Sequence, residues 1–97
     1  MVLTRQILRE KREAILEIAR RYGAHDVRVF GSVARGDNTA ASDLDIIVRF
    51  EPGRSLLDHG GLLMDLRDML GMKVDVIDEE ALTGRFGRIA QKEAIPL

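Results

Sequence analysis

Residues 30–48, FGSVARGDNTAASDLDIIV, decide most of what this chain can become. Val27 to Phe30 is a β-type run, and Gly31–Ser32 stops it. A short polar connection follows. A second β-type run then opens with Asp43 and Asp45. Positions i and i+2 of a strand point to the same face, so the two carboxylates stand side by side. Adjacent unpaired carboxylates are costly without a cation. At this spacing the usual remedy is a divalent metal ion with oxygen ligands. Gly31 lets a phosphate approach the backbone, and Ser32 offers a hydroxyl and an N–H at the start of a short helical turn.

The rest of the chain supplies elements around that pair. Residues 4–22 read as a helix, with Thr4 as N-cap, a stripe of Leu8, Ile15, Ile18, Ala19 and Tyr22, and Gly23 as the stop. Its opposite face is rich in Arg and Lys, read here as solvated. Residues 26–30 form the first strand, 32–35 a helical turn, and Gly36-Asp37-Asn38 a loop. Residues 43–50 form a second strand apolar enough to be covered on both faces. Residues 55–70 read as a helix capped by Ser55, with Leu56, Leu63, Leu66 and Leu70 inward and Gly71 as the stop. Gly60 and Gly61 within it point to close packing or an irregular first turn, and His59 is read as a surface or packing residue. Residues 73–78 form a third strand. Residues 79–93 form a short or broken helix that Asp78 caps, with Leu82, Phe86 and Ile89 inward. Ile95–Leu97 is an extended tail. The expected fold class is α/β (α+β), a small mixed sheet of three strands flanked by helices.

Composition narrows the function. The 97 residues suit one domain spanning 1–97, and 45% hydrophobic content excludes a disordered chain. Fifteen basic residues against sixteen acidic ones give a net charge of −1, which argues against direct nucleic-acid binding. There is no cysteine, hence no disulfide framework and no thiolate metal site. No secretory signal and no membrane span are visible, so a cytoplasmic protein is expected.

The string G-S-V-A-R-G followed by S-D-L-D resembles the nucleotidyltransferase superfamily that includes DNA polymerase beta. More narrowly it is similar to the minimal nucleotidyltransferases that serve as antitoxins to HEPN-domain toxins. The likeness runs from Val27 onward and departs at Val33, where many relatives carry a basic residue. It implies a polymerase-beta-palm-like fold and a site in which Asp43 and Asp45 hold magnesium on a nucleotide triphosphate. Asp75 matches the superfamily's third acidic position. The resemblance makes it a catalytic ligand of a second magnesium ion, where its strand alone would equally allow a salt bridge. Gly31 and Ser32 would hold phosphates. Arg35 would neutralise phosphate or pair with Asp37 or Asp43. Ser42 would touch phosphate or simply shape its loop. The implied reaction is transfer of AMP from ATP to a tyrosine hydroxyl of a cognate HEPN ribonuclease toxin, in a hetero-oligomer with it. The alternative is a vestigial site in an antitoxin that masks the toxin by binding.

Overall fold

The first helix begins where Thr4 turns its side chain back on the chain: the Ile7 amide donates to Thr4 Oγ1 at 3.1 Å. The computed structural model describes residues 2–97; Met1, part of the expected domain, lies outside them. Helix Arg5–Arg21 (α1) buries Leu8, Ile15, Ile18 and Ala19 along one stripe. Gly23, at φ +71°, reverses the chain in a conformation that side-chain-bearing residues resist.

Strand Ala24–Phe30 (β1) starts two residues earlier than the sequence indicates. The polar pair His25-Asp26 conceals the extension, because the register shifts between His25 and Arg28 and Asp26 takes φ +52°. One helical turn, Ser32–Arg35 (α2), leads by a loop to strand Leu44–Phe50 (β2), antiparallel to β1. Helix Leu56–Leu70 (α3) then carries the chain to strand Val74–Asp78 (β3), parallel to β2. A parallel pair needs such a crossover. A 3₁₀ turn, Glu79–Ala81, is capped by Asp78, whose Oδ1 accepts from the Glu80 amide at 3.0 Å. Helix Gly84–Glu93 (α4) and strand Ile95–Pro96 (β4) complete the fold.

The sheet has four strands in the order β3-β2-β1-β4, one more than expected. The tail pairs antiparallel with Arg28 and Val29 of β1, and the Leu97 amide donates to the Val27 carbonyl at 3.0 Å. Two residues, one a proline, carry no periodicity from which to read a strand.

Leu44, Ile46 and Val48 of β2 join Val27, Val29, Val74 and Val76 beneath α1 and α3. Each fully buried aliphatic side chain contributes roughly 1.5–3 kcal/mol of transfer free energy. Ile47, on the other face, is equally buried next to the 3₁₀ turn, so β2 is covered on both faces. In α3 the inward stripe is Leu62, Leu66 and Leu70. Leu56 is not part of it and is 87% exposed, because the capped first turn of α3 lies outside the packed core. Gly61 serves close packing: a Cβ there would run into the Tyr22 ring, which Asp65 holds through a 2.6 Å hydrogen bond. His59 packs, as expected, donating to the Val76 carbonyl at 2.8 Å and stacking on Phe50. In α4 the inward residues are Gly87 and Ala90, not Phe86 and Ile89. The Leu82 backbone lies so near Gly87 that a Cβ would meet it at 2.6 Å, leaving no room for a large inward side chain. Among the described residues no helix is long and apolar enough to cross a membrane.

Candidate active site

The C-terminal end of β1 and the N-terminal ends of β2 and β3 emerge at one edge of the sheet. There Phe30 pairs with Asp45 and Asp45 pairs with Asp75. Because alternate residues of β2 and β3 are committed to the core, Asp45 and Asp75 both point to the face opposite α1 and α3. Asp43 stands one residue before β2.

Gly31 lies against this group. Its φ is +78°, and a Cβ at Gly31 would sit 2.7 Å from Asp45 Oδ2. Any side chain here would occupy the space at the Asp45 carboxylate. The α2 turn that follows has no side-chain cap on its first amides. It is pinned from behind. Arg5 donates to the Ala34 carbonyl at 3.0 Å, and Gly36, at φ +81°, returns its amide to the Ser32 carbonyl at 2.9 Å. Val33, where the sequence departs from many relatives, is only 2% exposed and belongs to the core under the turn.

The Asp45 carboxyl is pushed up to about 6. Burial is the largest cause, followed by the charges of Asp75 and Asp43 and a hydrogen bond with Asp75, while Arg35 opposes weakly. The charges of Asp43 and Asp75 thus both reach Asp45, and Asp45 lies within hydrogen-bond reach of Asp75. Asp75 is open, with its side chain 57% exposed. Arg67 Nη2 stands 4.0 Å from Asp75 Oδ1, a weak pairing, while Arg67 Nε donates to the Val74 carbonyl at 3.2 Å. No pattern in the sequence marks Arg67, since only the fold brings the last turns of α3 beside β3.

The two remaining candidates sit at the periphery. Arg35 pairs with Asp37 at 3.2 Å and Glu93 at 3.4 Å, and Asp37 chiefly raises its pKa. Ser42 shapes its loop, its Oγ accepting from the Thr39 amide at 2.9 Å. A polar recess of about 280 Å³ beside Asp43 is lined by residues 40–43 and 70–73.

Residues 9–96 match the nucleotidyltransferase domain family. The chain belongs to that family. This nucleotidyltransferase is similar to a solved structure provisionally described as a minimal nucleotidyltransferase. The two share 48% identity and a TM-score of 0.88, over 98% of this chain and 97% of the other. It is 34% identical to the protein adenylyltransferase MntA of Thermococcus cleftensis, over 81% of this chain and 80% of the relative. A crystal structure of a toxin–antitoxin with AMP-PNP shares the fold, with a TM-score of 0.63 and 23% identity, over 73% of this chain and 59% of that one.

Among the described residues no three or more His, Cys, Asp or Glu side chains are grouped so as to hold a metal ion by themselves. The carboxylates instead form an open shell on one side of the Gly31 turn. Magnesium suits such a shell, since it keeps few protein ligands and completes its octahedron with water and substrate phosphates. Burial and the neighbouring charges of Asp75 and Asp43 together lift Asp45, and a divalent cation would offset both.

Proposed function

We propose that this nucleotidyltransferase transfers AMP from ATP to a hydroxyl of a protein, and that the acceptor is a tyrosine of a cognate HEPN-domain toxin which it thereby neutralises as an antitoxin. The observation that carries the reading is the stacking of Gly31, Asp45 and Asp75 across three strands, with Asp43 beside them. The protein acceptor is supported by the name of the Thermococcus relative. The HEPN toxin and its tyrosine follow from the resemblance in the GSVARG and SDLD motifs.

Asp43 and Asp45 would hold one magnesium ion and Asp75 would join them on a second. When bound, the ions neutralise charge on the phosphoryl oxygens and favour loss of the acceptor proton. The amides of the Gly31–Ser32 turn and the Ser32 hydroxyl donate to the β- and γ-phosphates. Arg35, at the flank, adds positive charge near the same oxygens while keeping its carboxylate partners. The acceptor oxygen bonds to the α-phosphorus as the bond from that phosphorus to the bridging oxygen breaks. Pyrophosphate carries away the electron pair. The hydroxyl proton passes to Asp75, the most open of the three carboxylates.

The test is incubation with the protein encoded beside this chain's gene, labelled ATP and magnesium, followed by mass spectrometry. One or more added AMP units on a tyrosine is the expected result. If that partner is neutralised without added mass, and equally well by Asp45→Asn, the chain acts by masking and the enzymatic antitoxin reading fails.

A further inference from the structure

Helix α4 is amphipathic the wrong way round for a monomer. Its large apolar residues, Phe86 and Ile89, stand 64% and 48% exposed, while glycine and alanine face inward. The helix is not free to roll. Gly87 lies against the Leu82 backbone. Arg28 of β1 donates to the Gln91 side-chain oxygen at 2.7 Å and to Glu79 Oε1 at 2.8 Å. The exposed side also carries Arg85, Arg88 and Lys92, none of them in an ion pair among the described residues. The one carboxylate of α4, Glu93, is engaged by Arg35 at 3.4 Å. In a chain of net charge −1, three unanswered cations on one ten-residue helix are a local excess.

The helical repeat sets Phe86, Ile89 and Glu93 along one flank. That flank ends at Arg35, hence beside the Gly31 turn. Phe86 to Glu93 spans only about 10 Å at 1.5 Å per residue. A protein lying on this flank therefore reaches the carboxylates with a short loop.

We infer that α4 is the docking surface for the acceptor protein, and that the matching surface of the acceptor is acidic around an apolar centre. The inference rests on the protein-acceptor reading above. Apolar anchors ringed by charge are the usual anatomy of a specific interface, and the charged ring speeds and orients association. A second copy of this chain is the poorer occupant. A two-fold contact of α4 with itself would set three cations against three cations.

Two variants test it, one for each half of the surface: Phe86→Asp with Ile89→Asp, and Arg85→Glu with Arg88→Glu. All four positions are exposed, and the charge reversal leaves the apolar pair intact should the first variant fold poorly. Thermal melts and calorimetry with ATP and magnesium should match wild type for both. Transfer to the protein encoded beside this chain's gene should then show KM raised about tenfold or more with kcat unchanged. The charge-reversal defect should shrink as salt is added. An unchanged KM in both variants overturns the inference while leaving the enzymatic reading intact. If wild type binds that protein without modifying it and both variants lose binding, the surface stands and the enzymatic reading fails. A wild-type dimer, seen by sedimentation and dissolved by either variant, would mean that α4 meets a second copy and would overturn the inference.

Discussion

Asp45→Asn should make the magnesium-free protein more stable at neutral pH while removing most of its transfer activity. The carboxyl of Asp45 titrates near 6 in the folded chain, against 3.8 as the ordinary value. Between those values the folded state holds more protons than the unfolded state, so stability falls as pH rises from about 4 to about 6. Below the ordinary value both states are protonated and the group contributes nothing. Above 6 the ionised carboxylate carries the full penalty. A shift of about two units corresponds to about 3 kcal/mol if undiminished. The site is half open and its charges are screened, which brings the expected penalty to roughly 1–2 kcal/mol. For a domain of this size that is roughly 5–15 °C in Tm. Asparagine cannot ionise, and its amide can still donate to Asp75. Melts of both proteins at pH 4 and pH 7.5, without divalent ions, are the assay. The mutant should match wild type at pH 4 and exceed it at pH 7.5. Magnesium with ATP should close the gap at pH 7.5 by stabilising wild type, and transfer should fall roughly a thousandfold, about 4 kcal/mol of transition-state stabilisation. An Asn variant equal to or below wild type at pH 7.5 would refute the cost of ionising Asp45, by burial and by its carboxylate neighbours, on which the metal assignment rests.

Asp75→Asn should lose little stability through its long contact with Arg67 and should raise Tm slightly at neutral pH in the absence of divalent ions, because its charge no longer presses on Asp45. It should still lose transfer by two to three orders of magnitude while calorimetric ATP–magnesium binding is largely kept. Ser32→Ala should weaken that binding about fivefold to tenfold, the loss of one phosphate hydrogen bond, as read by the same titration. Gly31→Ala should remove nucleotide binding and cost about 1–3 kcal/mol in denaturant unfolding, since its methyl would crowd Asp45 at a positive φ. Gly61→Ala should destabilise by a similar roughly 1–3 kcal/mol through the Tyr22 ring, yet leave kcat per folded molecule unchanged.

What the sequence revealed follows from where local pattern and tertiary structure agree. Thr4, Ser55 and Gly71 punctuate their helices through contacts within a few residues, so the bounds of α1 and α3 are legible. The Asp43/Asp45 pair is legible from its spacing, although strand alternation governs only Asp45, since β2 begins at Leu44. Asp75 needed the superfamily pattern, since its cross-strand partner lies thirty residues away in the chain. The inward faces of α3 and α4 were misread at Leu56, Phe86 and Ile89. Helical period gives the spacing of a stripe, but neighbours decide which stripe turns in. In α4 the neighbour is the Leu82 backbone, which admits only glycine. The contacts of Arg35 with Asp37 and Glu93, and of Ser42 with the Thr39 amide, are too local and too weakly patterned to read from sequence.

The parallel register of β2 and β3 makes the site intolerant of a change in chain length that the core might otherwise absorb. Asp45 faces Asp75 only because Leu44 faces Val74 and Ile46 faces Val76. Residues 71–73, between α3 and β3, set that alignment. Deleting one of them would slide β3 by one residue, turning its acidic side chain inward and its valines to water. Sliding by two would bring Ile77 opposite Asp45 and Asp78 opposite the buried Ile46, removing the carboxylate from the site and pressing one into the core. Length variation between α2 and β2, in residues 37–41, would shift neither strand against the other. Active members of a lineage built on this frame should therefore vary in length in the loop before β2 and hold the turn before β3 constant.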